Sequence, residues 1–470
     1  MMISVPRLVK RATFQAACLM LAVLVVGIAT GQAQTPRLYG QGTAASGQGN
    51  AFSAQADDAS ALHYNPAGMT QLRGVQFLTG ALFVGGVTTY VSPAGQTAVG
   101  DRGGSVAWPP PTHFYVTANL RDIGFTSLDK WTAGVGVTSP FGSLTEYQTS
   151  APFKDSVLFN TLPLLDIKPT IAYKLDDRLS FGLGADIYTF STLFGEGHLE
   201  IKRQSSFNGA HSEVNGSGTG AGFNASMLYT PLRNVEGKPL ANIGIVYRSQ
   251  AVLPLSGQFI VNGAALADAK ANVVLPQIVT GAIALWPVRD QDREWKLELD
   301  VDHVRWKSFR STAIALSGSV PGVGSGIPVA QNWRDTYNVM LGTEYKWLKL
   351  ERMPEWEVAL RGGYMHIQSQ MPDQTFNPGI PSADQHIPSI GLGVTCKENG
   401  TFLGFKCGNL GMGGVRPKSI GLDLSYQIAY YEDRTVAGQA LDPAAGTNSA
   451  VNGTYRTTIH AGGVSLRFNF

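Results

Sequence analysis

Charge is the first thing this chain has little of. Asp, Glu, Lys and Arg make up 15% of its 470 residues, against roughly 25% in a soluble globular domain. The 36 basic and 34 acidic residues nearly cancel and gather into no polybasic tract, which argues against a nucleic-acid partner. Long apolar runs are missing beyond residue 33, where no stretch approaches the roughly 18 to 20 consecutive apolar residues of a membrane helix. That criterion is blind to membrane strands, whose lipid-facing and lumen-facing residues alternate. Catalytic signatures are missing as well. There is no HExxH and no serine in a strand-turn-helix elbow, and the glycine runs "GSGTGAG" and "GLGVTC" lack the strand-to-helix context of a phosphate loop. His63, His198, His303 and His366 fall without metal-ligand spacing. No catalytic residue, metal or cofactor is therefore expected.

The one long apolar run stands at the start. Arg7, Lys10 and Arg11 precede Ala16 to Ala29, and the small residues "TGQAQ" follow. This is the layout of a secretory signal over residues 1–33, cleaved after Ala33. Cys18 sits at the front of that run, where a lipoprotein cleavage site would lie at its end, so it is expected to leave with the signal. The two remaining cysteines, Cys396 and Cys407, flank "KENGTFLGFK". In an exported chain the pair reads most simply as a disulfide, and the alternative, a metal site, lacks nearby histidines.

What the chain has in quantity is period-two alternation. In "SIGLDLSYQIAYY" Ile420, Leu422, Leu424, Tyr426, Ile428 and Tyr430 share one face, while Gly421, Asp423, Ser425 and Gln427 share the other. In "EWKLELDVD" the apolar Trp295, Leu297, Leu299 and Val301 alternate with Lys296, Glu298, Asp300 and Asp302. Four charges on one strand face are hard to bury in a soluble sandwich, but they suit the polar lumen of a barrel whose outer face meets lipid. Short turns such as "KLDDRLS" and "WPVRDQDREW" contrast with long Gly, Ser, Asn and Pro stretches at 203–222, 317–332 and 438–453. That asymmetry is expected of periplasmic turns and extracellular loops; counting strands from a periplasmic start puts the cysteine pair on the periplasmic side, in the one unusually long connection there. About fourteen candidate strands follow from Val75 to Phe470, an even number as in single-chain bacterial barrels. The fold class predicted is an all-β transmembrane antiparallel barrel in the Gram-negative outer membrane. Its last strand, "GGVSLRFNF", ends on an aromatic residue of the kind that outer-membrane assembly machinery recognises.

Residues 34–74 fit neither strand nor core. In "ADDAS" Asp57 or Asp58 can cap a short helix, and in "YNPAGM" Pro66 biases Asn65 toward extended backbone while Gly68 tolerates a tight turn. From composition alone this is a periplasmic tail. A barrel of about fourteen strands, however, encloses a lumen its own side chains cannot fill, so something must plug it.

The stretch "GTAASGQGNAFSAQADDASALHYNPAGMTQLRGVQF" resembles the N-terminal hatch of the FadL/TodX family of outer-membrane transporters for long-chain fatty acids and aromatic hydrocarbons. The likeness continues through "RLSFGLGADIY", "IGIVYRSQAVLPLSGQF", "LPQIVTGAIAL", "HVRWKSF" and "WRDTYNVMLGTEYKW" and so spans the mature chain. It implies a hatch over 34–74, with Asp57, Asp58, Asn65, Pro66, Ala67 and Gly68 in its turns, inside a barrel over 75–470. It also implies a monomer that carries a hydrophobic small molecule past lipopolysaccharide into outer-membrane lipid.

A hydrophobic solute gains nothing from an aqueous pore, since each exposed CH₂ costs about 0.8 kcal/mol in water. It needs an apolar pocket and an exit into the membrane. In "GVGVTSPFGSLTEY" Pro140 withholds a ladder donor and Gly142 weakens pairing, so a strand should break at Pro140, Phe141 and Gly142. The resemblance places a lateral opening there; the plainer reading is that Pro140 ends a strand where a loop begins. The resemblance also sets Phe190, Leu193, Phe194, Arg305, Trp306, Phe309 and Arg310 around the internal binding site, although lipid-facing or packing roles stay open for each. Fatty-acid members hold the carboxylate with basic residues late in these strands. Here that register carries Ser, Thr and Gly with only Arg305, Lys307 and Arg310 near, which keeps neutral hydrocarbons in play. A general diffusion porin for small polar solutes is the alternative function.

Overall fold

A computed structural model describes residues 37–101, 106–108, 110–193, 195–206, 208–310, 313–320, 323–327, 331–402, 404–408, 416–440 and 448–470. The signal expected over 1–33 and the pocket candidate Phe194 lie outside these residues. No described helix is long and apolar enough to cross a membrane; strands form the wall instead.

Fourteen antiparallel strands close into a barrel: β1 (Val75–Val91), β2 (Thr112–Asn119), β3 (Trp131–Thr138), β4 (Leu165–Lys174), β5 (Leu179–Thr189), β6 (Gly220–Arg233), β7 (Pro239–Arg248), β8 (Ile278–Arg289), β9 (Arg293–Val304), β10 (Thr336–Trp347), β11 (Trp356–Ile367), β12 (Gln385–Lys397), β13 (Ser419–Tyr431) and β14 (Gly453–Asn469). Each pairs with the next, and β1 pairs with β14 from Gln76 opposite Asn469 to Val91 opposite Thr454. Closure leaves the wall no edge strand, which a hydrocarbon environment demands.

The alternation read in the sequence sets which side each residue takes. Ile167, Leu183, Ile245, Leu299, Leu341 and Ile390 point outward and are exposed, whereas Lys168, Lys296, Glu298, Asp300 and Asp423 point inward and are buried. Aromatic rings border the outer apolar band at both ends. At the short-turn end the Trp131 and Tyr173 rings lie 4.8 Å apart, as do Tyr345 and Trp347 at 4.7 Å. At the other end stand Tyr247, His303, Tyr337, Tyr364 and Tyr430. An apolar belt between two aromatic girdles is the outer surface of a membrane barrel.

The short-turn end has brief links such as 175–178, 234–238 and 290–292, and its long connection, 398–418, follows Cys396, which is bonded to Cys407. At the opposite end the long connections fold into a second sheet. Its eight strands are Gly142–Glu146, Phe159–Pro163, Leu199–Gln204, His211–Gly216, Ala251–Val261, Ala264–Leu275, Ile314–Val320 and Gly324–Ile327, paired in that order. Beneath this crown Phe141, Phe153, Tyr188, Leu253, Trp306 and Trp333 belong to one buried apolar cluster.

Residues 37–74 fill the lumen below that cluster, with short helices at Thr43–Ser46 and Ala61–Tyr64 and a 3₁₀ turn at Pro66–Gln71. Wall glycines let the two backbones touch. A Cβ on Gly363 would stand 2.1 Å from the carbonyl carbon of Gln48, and one on Gly182 would stand 2.5 Å from the Ala67 nitrogen. No side chain fits at either position.

Candidate functional site

The hatch backbone is held by the charges that line the wall. Asp300 on β9 accepts from the Phe52 and Ser53 amides at 3.2 and 2.9 Å, and Glu298, two residues earlier on the same face, accepts from Ala54 and Gln55 at 2.6 and 3.2 Å. Lys296 donates to Glu298 and to the Gln55 side chain, each at 2.7 Å. Asn242 Nδ2, Gln427 Nε2 and Ser389 Oγ add bonds to Ala54 O, Ser46 O and the Gly49 amide. These satisfy amides and carbonyls that a segment without long helices or strands would otherwise bury unpaired, at about 1–3 kcal/mol each. The charged row of β9 is thus a socket for the hatch, not an ion path.

The hatch motif residues stabilise its turns. Asn65 Oδ1 accepts from the Ala67 amide at 3.1 Å while its Nδ2 donates to Ser53 O at 2.7 Å, and Pro66 begins the 3₁₀ turn. The Ala67 amide also donates to Ser226 Oγ on β6 at 2.9 Å. Gly68 is packed so closely on Ala56 that a Cβ would lie 2.4 Å from that residue's own. Asp58 accepts from the Ser60 amide and hydroxyl at 2.8 and 2.5 Å, and burial pushes its carboxyl up to about 6. Asp57 lies 3.7 Å from Lys346.

The wall is interrupted at Pro140. β3 ends at Thr138, and the chain leaves the barrel to enter the crown at Gly142 before returning as β4 at Leu165. β2 is short, so it covers only Val75–Ala81 of the far longer β1. The start of the hatch occupies the interruption. Gln41 Nε2 donates to Ser139 O at 3.0 Å, Gln41 Oε1 accepts from the Ser139 amide at 2.9 Å, and the Leu38 amide donates to Pro140 O at 2.8 Å. A side-chain amide here takes the place of the missing ladder partner. Outside it, a cleft of about 130 Å³ is lined by Val84, Pro111, Phe141, Gly142, Leu144 and Leu162. Inside it, between Tyr39, His63, Phe141, Tyr188, Arg248 and Ile278, lies a cavity of about 40 Å³, room for about one water molecule. Burial holds the His63 imidazole well below its usual range and therefore neutral.

Cations near the cavity are already matched. Arg37 meets Asp302 at 2.6 Å, Arg248 lies 3.5 Å from Asp186, and Lys168 bridges Asp166, at 2.6 Å, and Asp186. The structure parts the pocket candidates from one another. Trp306 and Phe309 are buried in the apolar cluster and Phe190 packs at its edge, but Leu193 is 81% exposed and Arg305 and Arg310 keep their charged ends in solvent. Gln41 and the Lys168 network escaped the sequence reading. The network left a signal, since Asp166 and Lys168 flank Ile167 in strict alternation; a lone Gln left none.

The family model described as outer membrane protein transport protein (OMPP1/FadL/TodX) matches residues 26–402. This chain belongs to that family. Curated relatives include the long-chain fatty acid transport proteins of Salmonella typhi, 24% identical over 403 residues with 79% of this chain and 86% of the relative covered, and of Escherichia coli K12, 25% identical over 417 residues with the same coverage. Among solved structures, a Pseudomonas aeruginosa FadL homologue superposes with a TM-score of 0.71 at 15% identity, covering 93% of this chain and all of that one. The Pseudomonas putida toluene transporter TodX does so at 0.57 and 17%, with the same coverage. Family, apolar belt and closed barrel together place the protein in the outer membrane, with the crown extracellular.

Proposed function

We propose that this protein carries long-chain fatty acids or aromatic hydrocarbons from the crown's apolar cluster past the cavity at Tyr188 and out sideways at Ser139–Gly142 into the membrane. The observation that carries this reading is the end of β3 beside the cavity, where hatch residues 37–41 and not a neighbouring wall strand meet residues 139–141, through one β-bridge and the hydrogen bonds of Leu38 and Gln41. An axial route would have to uproot a hatch bonded to β6, β7, β9, β12 and β13. The lateral route needs only the start of the hatch to move, at the contacts of Arg37, Leu38 and Gln41 with residues 139–141. Neutral hydrocarbons suit the charge-balanced cavity, because a carboxylate must first displace Asp302 or Asp186 from its partner, and leaving a buried charge unpaired costs about 3–5 kcal/mol.

Replacing Pro140-Phe141-Gly142 with Val-Thr-Val lets β3 continue and seals the wall. Cells carrying that variant should lose most uptake of both oleate and toluene while the barrel still folds. Unchanged uptake of both would rule out the lateral exit.

A further inference from the structure

The connection from β9 to β10, residues 305–335, holds four cations, Arg305, Lys307, Arg310 and Arg334, against one carboxylate, Asp335. No other connection at the extracellular end has more cations than carboxylates. Three of the four are unspent: among the described residues no carboxylate pairs with Arg305, Arg310 or Arg334, whereas Lys307 Nζ lies 3.7 Å from Asp335. All three arginines are exposed.

The backbone brings them together. β9 and β10 are neighbours, with Val304 opposite Thr336, so Arg305 and Arg334 flank one end of the same ladder. The Arg310 carbonyl accepts from the Gln331 and Asn332 amides at 2.9 and 3.2 Å, and the Lys307 amide donates to Asp335 at 2.9 Å. Beneath, Trp333 packs on Phe309 at 4.5 Å and on Trp306 at 5.1 Å. The patch therefore rests on a rigid aromatic base and not on a free loop. Just below it on the outer face of the wall, two residues from Arg305 and three from Arg334, the His303 and Tyr337 rings lie 4.9 Å apart as part of the extracellular girdle. Rings of that girdle mark the level of the lipid headgroups, and from their places along the chain Arg305 and Arg334 are within reach of that level for a side chain as long as arginine. Guanidinium is the side-chain group best matched to phosphate, which it can grip with two parallel bonds.

We propose that Arg305, Arg310 and Arg334 form a binding site for the phosphates of an outer-leaflet glycolipid, lipid A, on the rim between β9 and β10. The site lies on the rim over the apolar cluster from which the proposed path starts, and its test does not depend on lateral release.

The full chain in detergent, titrated with bis-phosphorylated lipid A and with lipid A stripped of both phosphates, tests it. The intact protein should bind the phosphorylated form about tenfold or more tightly. R305Q/R310Q/R334Q should lose that preference, and R456Q, a rim arginine already paired with Asp433 at 2.7 Å, should keep it. Heat-modifiable gel mobility checks that each barrel is folded, with R334Q alone standing in if the triple variant is not. Equal binding of the two lipids, or a triple variant indistinguishable from the parent, overturns the proposal. So does full displacement of lipid A by inorganic phosphate at matched phosphate concentration, which would make the patch a general anion site.

Discussion

At the scale of single residues, Gln41 is the side chain on which closure of the wall turns. Its amide serves both backbone groups of Ser139 at once, so Gln41→Leu, which keeps the volume and removes both bonds, orphans an N–H and a C=O in a buried stretch of the wall. Each orphan costs about 1–3 kcal/mol. The expected result is local, with amide hydrogen exchange at residues 138–142 faster by about tenfold or more while the rest of the barrel is unaffected. Exchange matching the parent there would mean that Leu38 and the crown hold the interruption shut without Gln41. Nothing in the sequence marks this residue, because its partner lies about a hundred positions away and neither belongs to a periodic pattern. The charged row Lys296, Glu298, Asp300 and Asp302 is the opposite case. Its strict alternation gives away its inward face, though not that the hatch backbone consumes it.

At the scale of elements, the hatch carries its own pH dependence. Burial raises the Asp58 carboxyl to about 6 despite the nearby Arg467 and the Ser60 donors, with Asp57 and Asp423 adding to the rise. The folded hatch then holds that proton more tightly than the unfolded chain does. This contribution is complete below about pH 4, the unfolded value, and is lost as pH rises through about 6. His63, held neutral by burial, contributes with the opposite sign, because the unfolded chain takes up its proton as pH falls below about 6.5. The Asp58 part is read by comparison: protease protection of residues 37–74 in Asp58→Asn relative to the parent should rise from pH 4.5 to 7.5, and a ratio that did not change would contradict the argument. The strands of the wall were legible from alternation and the hatch from its likeness to a known motif. The crown was not. Leu199–Gln204, His211–Gly216, Ile314–Val320 and Gly324–Ile327 run through or beside the stretches 203–222 and 317–332, which read as loops. Their glycines, serines and asparagines carry no period, and they become strands only because neighbouring connections offer ladder partners far away in sequence.

At the scale of the molecule, a wall that cannot be emptied and a lumen that cannot be left open depend on each other. Deleting residues 34–74 should give a barrel that still inserts, because the β1–β14 seam is untouched, but that admits small polar dyes and shows large conductance in planar bilayers. A truncated protein that stayed tight would return the segment to the role of a tail. The glycine contacts at Gly182 and Gly363 also constrain how the protein comes to exist. Residues 37–74 are synthesised before any of the strands they touch, and the seam that encloses them joins the first strand to the last. To enter a finished cylinder through its end, so closely fitted a segment would have to slide past each of those glycine contacts. The simplest order by shape seats the hatch on β5 through β13 before β1 and β14 meet, which makes it in effect the mandrel on which the wall is wound.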